Sequence, residues 1–330
     1  MGEAQTHPDV WLVTGGAGYI GGHTVPRLLA AGHRVVVFDD LSSGLTQRVP
    51  EGVPLVHASV LGESALTAAL VEFGVTGVIH FAGLKSVPES VEDPILYYRQ
   101  NVGGMISLLG AMVRAGTQKL VISSSAAVYG VPPTAVVTEQ TPAQPINPYG
   151  HSKLICERMA AAAGEAHGIS WLALRYFNAV GADDMTLADR GRTNLFPLIF
   201  RAFADGRDVL VTGDDFDTHD GTGVRDYIHV ADLADAHLAA VARLGEGPAA
   251  EIYNVGTGKG YSVLDVIGAL QDITGQEVPY VVGPRRSGDP ASVVAAVDKI
   301  WADLRWSAQR DLKDMVASAW SARQALEAAA

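Results

Sequence analysis

Cysteine is nearly missing from this chain: Cys156 stands alone among 330 residues, which excludes an intrachain disulfide and a cysteine-based zinc site. A reducing, cytoplasmic setting is the one expected. Basic charge is scarce as well. Lys plus Arg number 24 against 36 Asp plus Glu, a net charge of −12. A broad surface for nucleic acid or anionic membrane is therefore not expected, and any anionic ligand has to meet a local basic pocket. Long apolar runs are missing too. The longest, Val102 to Val113, is broken by Gly and Ser and falls short of the ~18 residues that a membrane-spanning helix needs. The first residues lack the cationic stretch and apolar core of a secretory signal. Met1-Gly2-Glu3-Ala4-Gln5-Thr6 formally fits a myristoylation pattern, but with no basic cluster beside it the match reads as coincidence.

What the chain does have is glycine, 36 of 330 residues or about 11% against a usual ~7%, with no collagen period and no linker tract. Such glycines mark tight turns and close backbone approaches. With 48% hydrophobic and 18% charged residues, the length suits one large or two ordinary folded domains. From residue 9 to about 175, short β-branched runs alternate with helical stretches, the signature of βαβ units on a parallel sheet. The strands expected are Val10–Thr14, Arg34–Phe38, Pro54–His57, Gly77–Phe81, Leu120–Ser124 and Trp171–Leu174. Crossover helices are expected at Gly22–Ala31, Ser64–Phe73, Pro94–Ala115 and Tyr149–Ala166, with Pro26 kinking the first of them. Past Arg175 the pattern loosens into Gly/Asp-rich loops. It recovers a helix at Val230–Leu244, a strand near Ile252–Val255 and a helix at Ser262–Thr274. The fold class read from this is α/β: a Rossmann-type doubly wound parallel sheet with a smaller, loop-rich C-terminal lobe.

Strand one runs into Thr14-Gly15-Gly16-Ala17-Gly18-Tyr19-Ile20-Gly21 and then a helix. Gly16-x-Gly18-x-x-Gly21 thus has the strand–turn–helix context of a dinucleotide fingerprint. The glycines let the backbone approach a pyrophosphate, whose charge meets the helix N-terminal amides. Strand two ends in Phe38-Asp39, 18 residues after Gly21, close to the offset at which a carboxylate holds the adenosine ribose hydroxyls. An acid there repels a 2′-phosphate, so NAD is expected rather than NADP, and Gln47-Arg48 lies too far along to serve as the phosphate partner.

Tyr149 and Lys153 stand four apart on one face of a predicted helix. Strand five ends in Ser123-Ser124-Ser125, and ligands of doubly wound sheets sit at the carboxyl ends of the strands. A neighbouring ammonium and a cationic nicotinamide favour the phenolate, which makes Tyr149 a credible general base for oxidising an alcohol.

These residues carry a resemblance. The chain is similar to the extended short-chain dehydrogenase/reductases, and among them to the UDP-glucose 4-epimerase family, over almost its whole length. Beyond the two motifs, the matching stretches are His80-Phe81-Ala82-Gly83-Leu84-Lys85, Ser123 to Gly130, Arg175-Tyr176-Phe177-Asn178, Asp220 to Val230 and Arg285-Arg286-Ser287-Gly288-Asp289. The resemblance implies a cofactor domain in residues 1–178, with 226–258 returning to it, and a nucleotide-sugar lobe in 179–330. For NAD it implies Gly15, Gly18, Tyr19, Ile20, Gly21, Asp39, Ser59 and Val60. Further along the chain it adds Phe81, Ala82, Gly83, Lys85, Asn101, Ser123, Tyr149, Lys153 and Tyr176. For a UDP-sugar it implies Arg225 and Arg286 on the diphosphate, and Asn178, Asn194 and Leu195 on sugar and diphosphate. Lys85, Ser125, Tyr149, Asp289 and Val293 complete the substrate set. The reaction implied inverts sugar C4 through a transient 4-keto sugar, NAD taking and returning the hydride while Tyr149 moves the O4 proton, Ser125 holds that oxygen and Lys153 lowers the phenol pKa. No metal is implied, and a homodimer is, through Pro94–Ala115 and Tyr149–Ala166.

Four positions leave the family pattern. Ser59 stands where an acid near the adenine is usual, Thr212 where an aromatic precedes Gly213, Ala127 where Thr is common, and Val293 where a large Tyr marks restriction to unmodified hexoses. The small Val293 suggests acceptance of UDP-GlcNAc and UDP-GalNAc as well. A pentose 4-epimerase stays open, and so does a sibling 4,6-dehydratase, although Ala126-Ala127 offers no acid beside Ser125. A non-catalytic NAD-sensing regulator is the third reading, against which both Tyr149 and Lys153 are retained. Asp214 to Gly221 invites a calcium-loop reading, but its glycine falls one place late and the closing Glu is missing; a solvated acidic loop is expected instead. Cys156 reads as a buried packing residue and His151 as a surface one.

Overall fold

The computed structural model describes residues 9–191, 194–286 and 288–328; the amino-terminal acylation pattern lies outside them. The β-branched runs form a seven-stranded sheet in the order Leu55–His57, Arg34–Asp39, Val10–Thr14, Gly77–His80, Lys119–Ser125, Ser170–Tyr176 and Ala250–Val255. Every pairing is parallel. The six strands expected from the sequence are all present, Val10–Thr14 with the expected bounds and the other five shifted at one or both ends by one or two residues. The seventh arrives from far along the chain.

Alternate residues of each strand enter two separate cores, because helices cover both faces. Val10, Leu12, Leu120 and Ile122 meet the helices Glu63–Glu72, Gly104–Ala115 and Pro148–His167. Trp11, Val13, Val121 and Leu172 meet Tyr19–Ala30 and Val230–Glu246. The strand order reverses between Val10–Thr14 and Gly77–His80, and the crevice beyond their carboxyl ends is where a ligand of such a sheet sits.

Pro26 lies inside Tyr19–Ala30, which continues past it to Ala30. One helical expectation is corrected. The segment Pro94–Ala115 is not one regular helix: Pro94–Tyr97 is followed by a π-helical stretch, Tyr98–Gly103, and then by Gly104–Ala115. The widened turn points Asn101 inward, where it is buried, and a Cβ at Gly104 would already stand 3.0 Å from Val60 Cγ2.

The smaller lobe is built around the strand Val224–His229. It pairs in parallel with Asn178–Val180 and Ser292–Ala295 and antiparallel with Gly260–Ser262. Its core joins Phe196, Ile199 and Phe200 of helix Leu195–Ala204 to Val266 and Leu270 of Val263–Thr274 and Met315 of Leu312–Ala328. Among the described residues no helix is long and apolar enough to cross a membrane.

Candidate active site

Gly15 follows the first strand with φ +71°, and a Cβ there would stand 2.7 Å from the Ala82 amide nitrogen. At Gly21 a Cβ would come within 2.5 Å of the Gly15 carbonyl oxygen. A bare backbone cradle results at the start of Tyr19–Ala30, whose N-cap Gly18 supplies no side-chain oxygen and whose first turn holds no acid. Its amides are left for an anion. The residues present therefore fit a dinucleotide pyrophosphate. Beside the cradle the Tyr19 hydroxyl donates to the Gly181 carbonyl at 2.5 Å, and the Lys85 ammonium lies 5.7 Å over the Tyr19 ring.

Asp39 is buried at the end of the second strand. Its Oδ2 accepts the Ala17 amide at 3.0 Å and its Oδ1 the Leu41 amide at 2.9 Å. Burial pushes its pKa up while those two bonds oppose the rise. Next along, Ser59 Oγ accepts the Leu61 amide at 3.3 Å, and Val60 is buried. Phe81 and Ala82 donate their amides to the Thr14 carbonyl at 2.9 and 3.1 Å. Asn101 is buried and bonded within the protein. Its Oδ1 accepts the Leu84 amide at 2.8 Å, and its Nδ2 donates to the Leu84 carbonyl and to Ser152 Oγ. Its side chain thus ties the Gly83–Leu84 loop to the helix of Tyr149.

That helix, Pro148–His167, is started by Asn147, whose side chain accepts the Gly150 amide at 2.8 Å, with Pro148 in the first turn. Gly150 lets it press against the turn after Ser125: a Cβ there would stand 2.5 Å from the Ala127 carbonyl oxygen. Tyr149 is half-buried and packs edge-on against Tyr97 with centroids 6.5 Å apart. Lys153 is buried, donates to the Ser123 carbonyl at 2.9 Å and holds its ammonium 6.0 Å from the Tyr149 ring centre. Ser125 Oγ accepts the Ala127 amide at 3.1 Å, which leaves its proton free to donate outward.

Two buried histidines to which the sequence assigns no role lie below. His80 Nδ1 meets Thr14 Oγ1 at 2.7 Å, and burial, helped by Lys153, pushes its pKa down to about 3. His237 Nδ1 faces the Leu233 carbonyl at 2.8 Å. A carbonyl can only accept, so Nδ1 carries the proton and Nε2 accepts the Tyr176 hydroxyl at 2.5 Å. Tyr176 is also bonded to Ser123, and burial raises its pKa well above the usual phenol value.

In the smaller lobe Arg225 donates to the Val224 carbonyl at 2.8 Å and stands 3.8 Å from Asp289 Oδ1. Burial pushes its pKa down. Arg286 is exposed, and among the described residues no carboxylate pairs with it. Asn178 is exposed at the start of its strand. Asn194 precedes helix Leu195–Ala204 without capping it, its Nδ2 donating to Asp189 Oδ2 at 2.8 Å. Val293 is the register partner of Arg225 and packs with Val128 and Phe177. Beside Gly213 stands Phe216, its ring covered by Arg285 at 4.0 Å.

In the acidic loop Asp214, Asp215 and Asp217 are exposed, as a solvated loop requires, while Asp220 accepts the amide and hydroxyl of Thr222 at 2.8 Å and the hydroxyl of Ser262. Cys156 is buried, with its thiol pushed up to about 11, and His151 is exposed.

Comparison with known proteins agrees with this geometry. The model of the NAD dependent epimerase/dehydratase family matches residues 11–256. The UDP-glucose 4-epimerase of Azospirillum brasilense is 44% identical over 96% of this chain and 92% of its own. The UDP-glucose-4-epimerase of Stenotrophomonas maltophila, solved with NAD and formylated UDP-arabinopyranose, superposes with a TM-score of 0.94 at 41% identity, covering 98% of this chain and all of that one. The UDP-Glc/GlcNAc 4-epimerase of Campylobacter jejuni superposes with a TM-score of 0.86 at 35% identity over 96% of this chain and 99% of its own. The chain belongs to the NAD-dependent epimerase/dehydratase family.

Proposed function

We propose that this enzyme inverts C4 of a UDP-hexose, UDP-glucose/UDP-galactose first, by oxidising C4 to a ketone and reducing it from the opposite face. The observation that carries the reading is the gathering of Ser125, Tyr149 and Lys153 at the carboxyl edge of the sheet, next to the glycine cradle. NAD, held by the cradle and Asp39, supplies the acceptor and donor of the hydride. Tyr149 takes the O4 proton as the ketone forms and returns it when the alcohol is restored. The Lys153 ammonium beside the ring offsets the charge of the phenolate that accepts this proton, and in the keto interval Tyr149 is the neutral phenol that holds it. Ser125, its Oγ turned by the Ala127 amide, donates to O4 throughout.

Arg225 and Arg286 would bind the diphosphate, whose charge suits two guanidinium groups in an otherwise acidic chain. Asn178, Asn194 and Leu195 would flank sugar and diphosphate from the same lobe. Residues 1–178 with 226–258 then serve the cofactor and 179–330 the nucleotide sugar. The small Val293 supports acceptance of UDP-GlcNAc and UDP-GalNAc. The 4,6-dehydratase reading is weaker, because Ala126 and Ala127 follow Ser125 without an acid.

A homodimer is supported by Val91, Ile95 and Ile106, large apolar side chains more than half exposed on and next to the segment 94–115. A cytosolic setting is consistent with the lone thiol of Cys156. The test is to incubate purified protein, with no NAD added, with UDP-galactose, UDP-GalNAc and UDP-xylose in parallel, and to assay the denatured protein for released NAD. C4 inversion of UDP-galactose is expected. Conversion of none by protein that carries NAD refutes the reading.

A further inference from the structure

Directly beneath the sheet edge that holds Ser125 and Tyr176, the parallel register aligns Ser124, Arg175 and Asn254 across three neighbouring strands. Helices cover this face, and two residues lower the same row is Ile122, Ala173 and Ile252, as a doubly covered sheet requires. The upper row is polar instead. Glu157, one turn beyond Lys153 on the catalytic helix, reaches down to it. Its carboxylate accepts Arg175 Nε at 2.9 Å and Nη2 at 2.7 Å, and the hydroxyl of Ser124 as well. Arg175 Nη1 donates to the Tyr129 hydroxyl at 3.0 Å, and that hydroxyl donates to Asn254 Oδ1 at 2.6 Å. Glu157 and Arg175 are only 3% and 4% exposed.

An ion pair this deeply buried adds little net stability over a well-packed apolar pair, because desolvation offsets most of the attraction. Stability alone therefore does not account for it. The members of the network adjoin the reacting groups. Ser124 precedes Ser125, Tyr129 ends the turn that follows it, Glu157 shares the helix of Tyr149 and Lys153, and Arg175 precedes Tyr176. A two-pronged guanidinium–carboxylate contact also fixes spacing in a way that apolar packing does not.

We infer that Glu157 and Arg175 are positioning residues that set the distance between the Ser125 and Tyr149 hydroxyls. The inference rests on the epimerase reading of the site. Neither residue touches substrate, so the pair acts on kcat through geometry, where a displacement of about 1 Å is worth up to ~100-fold.

The test compares the NAD-loaded wild type with Glu157→Met/Arg175→Met and with Arg175→Lys. The double variant removes both charges, keeps apolar volume and is expected to unfold thermally within a few degrees of wild type. Its kcat for UDP-galactose is expected to fall ~10- to 100-fold, with KM within about twofold and a wild-type content of NAD. Arg175→Lys keeps the charge but loses the fork, and is expected to lower kcat ~10-fold with the same split; it decides the question if the double variant does not fold. A stable double variant, or Arg175→Lys, that turns over at the wild-type rate shows a merely structural pair and overturns the inference alone. A wild type without turnover overturns the epimerase reading and the inference together.

Discussion

Lowering the pH from 7.5 to 5 should strongly destabilise this enzyme through four histidines that the fold holds neutral. His23, His80, His229 and His237 are all buried, and burial pushes their pKa values down to about 4, 3, 4 and 4. Hydrogen bonding enforces the same state at three of them. His23 Nδ1 donates to the Tyr19 carbonyl, so Nε2 must accept the Asp183 amide. His229 accepts the Ala231 amide on Nδ1 and therefore presents Nε2–H to Ser318. His237 accepts Tyr176. A second proton on any of these rings would face a donor.

The sign follows from linkage. Unfolded imidazoles titrate near 6.5, so from about 6.5 down to about 4 the unfolded chain binds more protons, and stability present above 6.5 is lost as pH falls. At pH 5 each group costs about 2 kcal/mol, about 8 kcal/mol for the four. Asp226, raised to about 6 by burial, works in the opposite direction and returns about 1 kcal/mol there. Against an ordinary stability of about 5–15 kcal/mol, the net loss of about 7 kcal/mol takes from just under half to all of it. Urea unfolding followed by circular dichroism at half-unit steps should show the midpoint falling steeply below pH 6.5. Carbon–proton NMR of the imidazoles should show four resonances that do not titrate before unfolding. An unfolding free energy that stays level between pH 7 and 5 would refute the argument. Because His80 and His237 underlie the catalytic edge and His23 joins the first helix to the 181–191 loop, bound NAD should be released over the same interval.

Tyr149→Phe removes the proton acceptor and should lower kcat by ~10² to 10⁴ without changing NAD content, measured by turnover and by assay of released nucleotide. Gly15→Ala brings a Cβ against the Ala82 backbone at positive φ, so the protein should purify without NAD; retention of stoichiometric NAD would contradict the cradle. Arg225→Met should raise KM for UDP-galactose ~10-fold or more and leave kcat within a few-fold, by steady-state kinetics. Val293→Tyr should abolish turnover of UDP-GalNAc while keeping that of UDP-galactose, and equal loss of both would remove Val293 from the sugar site.

The Rossmann half was readable because its signals are local. A β-branched run, a glycine turn and a helical run fall within thirty residues, and an acid such as Asp39 follows at a set offset. Tyr149 and Lys153 were readable for the same reason, being one helical turn apart. The π-helical break at Tyr98–Gly103 was not, since it depends on Asn101 gripping Leu84 and on Gly104 meeting Val60, contacts that cross from one crossover unit to another. The strand pair Val209–Thr212 with Tyr280–Gly283 was missed because Leu210, Tyr280, Val281 and Val282 are largely exposed. Although Val209–Thr212 alternates between buried and exposed residues, the exposed Leu210 is apolar, so no polar alternation marks the strand in the sequence. His237 and Arg175 were passed over since their partners lie on other strands and helices, and only the sheet register brings them together.

Glu157 did carry a local signal: it stands four residues after Lys153 and eight after Tyr149, on the buried face of a helix. A carboxylate there requires a cation inside, and Arg175, buried near the carboxyl end of an otherwise largely apolar strand, requires the reverse. Each is hard to explain alone and simple to explain as a pair. The same logic covers the net charge of −12. An acidic chain can still hold a diphosphate, because charge acts where it is placed: Arg225 sits half-enclosed, its pKa depressed by burial, and among the described residues Asp289, its Oδ1 3.8 Å away, is the one carboxylate paired with it. An incomplete pairing of that kind leaves a cation that an anionic ligand completes, whereas the closed Glu157–Arg175 pair leaves nothing for a ligand and serves the geometry of its neighbours.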